Sequence, residues 1–305
     1  MIEALTRVWQ SDLAWSLRRA PLALTALFTV VLLVGLAVFA PWVAPHNPFD
    51  PATLNLMNAF TPPGEANAFT QDSFWLGTDD QGRDIYSTIL YGLRISLFVG
   101  FAAVALGMLI GITLGLISGY VGGWVDATIM RIADVQLTFP SILVAMLIFG
   151  IAKGITPVAY RDEMAIWVLI LAIGLSDWVQ FARVVRGATL VEKQKEYVQA
   201  AQLIKRRPSA IMLRHILPNV VSPILVIATI SLALAIIAEA TLSFLGIGAP
   251  PTQPSLGTLI RVGQGFLFSG EWWILFYPSL TLLLLALAVN LLGDWLRDAL
   301  NPNLS

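Results

Sequence analysis

Few side chains in this sequence could carry acid–base or metal chemistry. There is no cysteine, which excludes thiol nucleophiles, disulfides and thiolate metal sites. The two histidines, His46 and His215, stand far apart in the chain, so a histidine-held metal is not expected. The carboxylates Asp134, Asp177, Glu239 and Asp294 fall singly in otherwise apolar runs. Residues 196–219, EYVQAAQLIKRRPSAIMLRHILPN, form a charged segment between two such runs. Read as helix, it places Tyr197, Ala201 and Ile204 on one face, with Ala200 and Leu203 beside them. Glu192, Lys193, Lys195 and Gln199 occupy other faces. Pro208 breaks the pattern, and a second short helix, 210–217, bears Arg214 and His215 before Pro218 closes it. Such a segment either docks on a soluble partner or lies on lipid headgroups.

The elements that must position these residues are membrane spans. Of 305 residues, 57% are hydrophobic and only 12% charged, with mean hydropathy +0.77; soluble domains carry about 25% charged residues. Six apolar stretches approach the roughly 20 residues that a transmembrane helix needs: 21–41, 95–119, 128–151, 164–181, 220–244 and 273–294. The first is longer than a signal-peptide core and is expected to remain as a span. The loop between the first two spans is polar and rich in Pro, Asn, Asp and Gly. With the N-terminus inside, 13 of the 18 Lys and Arg residues lie on the inner side and 5 outside, so the positive-inside rule places both termini in the cytoplasm. The 196–219 segment then faces the cytoplasm.

Within the spans, Gly107, Gly111, Gly115 and Gly119 recur at every fourth position, a ridge for close helix packing. The middle of each span lacks Asp, Glu, Lys, Arg and His, which weighs against an ion-coupled transporter, since that places such groups along its route. A membrane enzyme would need catalytic groups clustered at one depth, and Asp134, Glu239 and Asp294 do not provide this. Asp134, Glu239 and Asn290 are the candidates for a pathway or gate. Each also has a plainer reading: Asp134 pairing with Arg131, Glu239 capping a neighbouring helix, and Asn290 bonding between helices.

The 196–219 segment resembles the EAA loop of ABC-importer permeases. Gln199-Ala200-Ala201 aligns with its Glu-Ala-Ala, Lys205 with its glycine, and Leu217-Pro218 with its closing Leu-Pro. Residues 182–187 (ARVVRG) and Glu196-Tyr197-Val198 also match. Gln199 removes a charge, and Lys205 stands where glycine would adopt φ > 0 cheaply and lysine does not. The turn geometry is what that departure bears on; docking is expected to survive, because Pro208 still breaks the helix.

Further motifs resemble the dipeptide/oligopeptide/nickel permease family: 74–84 (FWLGTDDQGRD), Ser118-Gly119-Tyr120 with Gly122, Gly123 and Asp126, 239–246 (EATLSFLG), and 293–298 (GDWLRD) followed by Asn301-Pro302. The start Asn47-Pro48-Phe49-Asp50 is typical of the C-type permease of a pair. The resemblance implies an all-α membrane protein with the six-helix bundle of type I ABC importers. Its parts would be a cytoplasmic segment 1–20, a first helix and outer loop 21–94, a core 95–295 containing the coupling loop 187–219, and a tail 296–305. It implies ATPase coupling through Glu196, Tyr197, Gln199, Ala200, Ala201, Ile204, Lys205, Arg214, Leu217 and Pro218, and an outer-loop signature at Gly77, Thr78, Asp79, Gly82, Arg83 and Asp84. It also implies a homologous B-type permease, two ATPase subunits that bind ATP and Mg, an extracytoplasmic binding protein, a bilayer of the bacterial inner membrane, and no cofactor or nucleic acid on this chain. Peptides are the expected cargo, with nickel or a metal chelate as the alternative. The Gly77–Gly82 loop lacks the Gly-Lys-Ser/Thr ending of a phosphate loop.

Overall fold

A computed structural model describes residues 12–50, 54–250 and 252–300. Arg7, the remainder of 1–11, and Asn301-Pro302 with the end of the tail lie outside the described residues. The regular elements are helices: α1 (Asp12–Arg19), α2 (Pro21–Val38), α3 (Ile85–Val121), α4 (Gly123–Leu137), α5 (Ser141–Ile155), α6 (Arg161–Glu192), α7 (Glu196–Leu203), α8 (Leu217–Phe244), α9 (Leu256–Gln264) and α10 (Trp273–Ala299). Five of the helical stretches are long and apolar enough to cross a membrane.

The expected third span, 128–151, is not one helix. It is the pair α4 and α5, bent by 95°. Pro140 lacks an N–H and drives the residue before it out of helical conformation. The chain therefore breaks at Thr138, Phe139 and Pro140 before α5 starts. Counting the bent pair as one crossing gives six. The helices also overrun the expected spans. α3, with 37 residues, is roughly 55 Å long at 1.5 Å per residue, well beyond an apolar layer of about 30 Å. The fifth span begins earlier than expected, too. Residues Pro208–Phe244 run as one helical stretch through a π-turn at Met212–Ile216. Pro218 does not close a short helix but sits in the first turn of α8, where its missing N–H costs nothing.

The axis of the bundle is the contact between α3 and α6. A Cβ added at Gly111 would meet Phe181 Cβ at 2.4 Å and Trp178 O at 2.6 Å; at Gly115 it would meet Ala182 O at 2.6 Å, and at Gly119 Thr189 Cβ at 2.7 Å. Gly107 is looser, with Gly174 O at 3.1 Å. The spacing of four, close to the helical repeat, keeps all four on one face. Lipid chains are as apolar as leucine, so van der Waals fit is what holds these helices together. Around this seam α5 packs on the N-terminal half of α6, burying Ala145 and Phe149, while α8 and α10 complete the other side with Ile236, Leu285 and Val289.

Replacing Gly111 by alanine is expected to cost about 2 kcal/mol, in the range of core overpacking. Gly150, where an added Cβ would meet nothing within 4 Å, should accept alanine without loss. Thermal unfolding of the purified variants reads both; equal losses would show that the ridge is not the critical contact.

Candidate functional site

The 196–219 segment is tied to three long helices. Glu192, buried at the end of α6, accepts from Lys195 Nζ at 2.6 Å and from the Tyr197 hydroxyl. That hydroxyl accepts in turn from Asn219 Nδ2 at 3.1 Å, and Asn219 also donates to His215 O at 2.7 Å. Lys193 donates to Tyr120 O at the end of α3. The end of α6 and the first turn of α8 therefore share one polar network around Tyr197, and Lys193 separately ties α6 to the end of α3. Sequence reasoning singled out Tyr197 but missed Glu192 and Asn219, whose roles depend on partners up to 22 positions away in the chain.

α7 has an inner and an outer face. Val198 and Ala201 are buried in a cluster with Leu116, Phe181, Val185, Ile211, Ile216, Val220 and Ile224. This corrects the expected docking face: Ala201 turns inward, because position 198 fixes the apolar side of the helix and 201 follows three residues later. The outward set is Glu196, Gln199, Ala200, Leu203 and Ile204, with Leu203 83% and Ile204 70% exposed. Gln199 bonds back to Gln194 O at 2.9 Å. Arg214 and Pro218 are exposed and Leu217 half-buried.

Lys205 takes up the left-handed conformation at φ +53. Its N–H reaches Gln202 O at 2.9 Å, and Arg206 N–H reaches Ala201 O at 3.1 Å. This pair of bonds is a Schellman C-cap with Lys205 at the position usually held by glycine. The turn expected of a glycine is thus formed by a lysine, with the steric cost of a Cβ at positive φ.

Two inter-helix ion pairs hold α4 against α6. Arg186 forks onto Asp126, with Nη2–Oδ2 at 2.6 Å, and Ser118 donates to the same carboxylate. Arg183 pairs with Asp134, so the expected partner Arg131 is replaced by one across the helix interface. Beyond them, at the end of α4, Gln136 donates to Leu175 O and Ser176 O, both at 2.9 Å, and accepts from Trp178 Nε1 at 2.8 Å. Asp126, Arg183, Arg186 and Gln136 received no role from sequence, since only the pairing of α4 with α6 makes them partners. Asn290 does not bond between helices: it is exposed on α10 and makes no hydrogen bond among the described residues. Glu239 is wholly buried and bonded to Ser96 and Ser243, so it does not line an open route.

The outer signature is a compact plug. Asp79, nearly buried, binds Arg83 Nε at 2.6 Å and accepts from the N–H groups of Gln81 and Arg83. Thr78 Oγ1 accepts from Thr61 N–H at 2.8 Å, and Thr78 O accepts from Trp273 Nε1 at 3.0 Å, which fixes the plug to the start of α10. Asp84 caps α3 by accepting from Tyr86 and Ser87 N–H. Gly82, at φ +74, lies so close to Asn55 O that a Cβ would sit 2.3 Å from it. Gly77 is packed in the same way against Trp273.

Lys205→Gly should relieve the strained turn by about 1 kcal/mol and slow hydrogen exchange at the amides of residues 205 and 206 about fivefold. Unchanged or faster exchange would mean that the lysine makes a compensating contact.

Residues 111–305 match the family described as binding-protein-dependent transport system inner membrane component. Residues 8–63 match the N-terminal TM domain of oligopeptide transport permease C. The chain is 38% identical over 298 residues to the oligopeptide transport system permease protein OppC of Bacillus subtilis, covering 97% of this chain and 90% of that one. It is 40% identical over 291 residues to the glutathione transport system permease protein GsiD of Escherichia coli O157:H7, covering 94% and 88%. A solved structure of the MetNI methionine ABC transporter in inward-facing conformations shares the fold, with TM-score 0.54 and 18% identity over 70% of this chain and 96% of that one. The chain therefore belongs to the binding-protein-dependent transport permeases, as a multi-pass, non-catalytic subunit of an ABC importer that works with ATPase subunits.

Proposed function

We propose that this permease imports short peptides and forms half of the translocation route, the other half coming from a homologous B-type permease. Support for the cargo comes from relatives that match nearly the whole chain and are named for oligopeptides and for glutathione, itself a short peptide. An extracytoplasmic binding protein would deliver cargo to the outer plug. Both termini would lie on the cytoplasmic side of a bacterial inner membrane, as the placement of Lys and Arg suggests. The core 95–295 would carry the route, and 187–219 the coupling.

Two uncovered surfaces support the two protein contacts. Val135, Phe139, Leu143, Leu147 and Ile151 of the bent pair are exposed apolar side chains, and Asn290 is an unpartnered polar group on a spanning helix; a second permease would cover such faces. Leu203 and Ile204 form an exposed apolar tip beside Lys205, Arg206 and Arg207, the chemistry of a helix-in-groove contact. This tip is the observation that carries the coupling role. Closure of the ATPase dimer on ATP would drag α7, and the Glu192–Tyr197–Asn219 network would pass that movement to α6 and α8 as rigid bodies, switching the bundle between inward- and outward-facing forms.

Leu203→Glu and Ile204→Glu together should weaken capture of the ATPase subunits at least tenfold in a pull-down and leave the melting temperature of the permease unchanged. Ala201→Glu should instead destabilise the permease itself by several kcal/mol, because it buries an unpaired charge. Capture that survives the double change would move the coupling contact elsewhere on the chain.

A further inference from the structure

Glu239 sits in α8 with its side chain 0% exposed, and among the described residues no cation pairs with it. A buried carboxylate without a counter-charge persists only if hydrogen bonds satisfy it. Here each oxygen is held by a serine, and a third, Ser255 just before α9, also bonds to the carboxylate. Ser96 Oγ, from α3, donates to Oε2 at 2.7 Å, and Ser243 Oγ, one turn further along α8, donates to Oε1 at 2.7 Å. Each serine oxygen also accepts a backbone N–H: Leu256 N–H at 3.2 Å on Ser96, and Ala249 N–H at 3.1 Å on Ser243. The direction is forced, because an amide N–H can only donate, which leaves the hydroxyl proton for the carboxylate.

Glu239 is thus the shared terminus of two relays, one ending at Ala249 and the other at Leu256. Ala249 lies midway along the connection from α8 into α9, and Leu256 at its junction with α9. The connection lies flush on α8 around them. A Cβ at Gly248 would meet Ser243 Oγ at 2.3 Å, and one at Gly257 would meet Ala240 O at 2.3 Å. Beyond it, α9 packs on α10, the Trp273 indole on α10 holds the outer plug at Thr78, and Phe60 of the plug contacts Phe266 with ring centroids 5.2 Å apart.

We propose that Glu239 is a positioning residue that anchors, through Ser96 and Ser243, the α8–α9 connection at its middle and at its junction with α9, and so sets the pose of the outer face on which the binding protein docks. The anchoring needs a double acceptor. A carboxylate accepts a hydrogen bond from both hydroxyls; a glutamine of the same shape offers one acceptor oxygen and one amide that can only donate. The serine facing that amide can still accept from it, but its hydroxyl proton loses its acceptor, and that relay weakens. The second half of this inference rests on the importer reading; the anchoring itself does not.

Hydrogen exchange of the assembled importer in lipid nanodiscs tests the anchoring. Ser96→Ala should accelerate exchange at the Leu256 amide, and Ser243→Ala at the Ala249 amide, each by about fivefold, the usual worth of a hydrogen bond. Glu239→Gln should loosen at least one of these amides, with the α3 segment facing α6 unaffected. Unchanged protection at both amides, or faster exchange spread evenly through α3 and α8, would overturn the proposal. The serine changes are mild enough to keep it testable if Glu239→Gln does not fold. ATP turnover at rising concentrations of the binding protein then reads the docking: the half-saturating concentration should rise several-fold in the variants that loosen the connection. An unmoved half-saturation alongside loosened amides would overturn the docking half alone.

Discussion

The close approach of α3 and α6 is the contact on which the rest of the bundle depends. In water, apolar burial would press helices together whatever their shape. In lipid that force is missing between helices, and steric fit takes its place. The four glycines remove every side chain from one face of α3, and α6 fills the space with Phe181, Ala182, Val185 and Thr189. Backbones this close cannot slide, so α3 and α6 act as one stiff body from the plug, which caps α3 at Asp84, to the opposite end, where Glu192 meets Tyr197.

Polar contacts are arranged around that body as fasteners. The pairs Arg186–Asp126 and Arg183–Asp134, with Gln136 beyond them, hold α4 to the C-terminal half of α6. Exposed ion pairs contribute little to stability; the forked, half-buried Arg186–Asp126 pair contributes more through its geometry. α4 is otherwise scarcely buried, with Ala133 alone inside. Its orientation is therefore set by these polar bonds, and the 95° bend at Pro140 leaves its apolar side uncovered. At the other end of α6 the Tyr197 network joins α6 and α8 through one phenol. α7 is consequently a part of the bundle's framework on its Val198–Ala201 side and exposed on the other.

The outer half is built on the same economy. A single buried carboxylate in α8 organises two serines and two backbone amides, and the plug, α9 and the start of α10 lock onto one another through Thr78, Trp273, Phe60 and Phe266.

Much was legible in the sequence for direct physical reasons. Length and hydropathy of the apolar runs dictated spanning helices, the glycine period dictated a packing face, and linear motifs carried the family. What failed did so where a second element decides the outcome. Thr128 to Ile151 has the apolar content of one span, but Pro140 turns the chain, and only the resting place of α5 on α6 shows by how much. Helical periodicity grouped Ala201 with Ile204, yet which side of an amphipathic helix faces inward depends on the cluster beneath it, here Phe181 and Ile216. Arg131 was the nearest cation to Asp134 along the chain, and Arg183 the nearest in space. Lys205 took a glycine's conformation because two C-cap hydrogen bonds hold it there. The sequence alone determined composition, periodicity and motif, and with them the class of machine. The tertiary structure decided which charges meet, which face is free and what Glu239 holds, because each of those depends on distances between residues up to 160 positions apart.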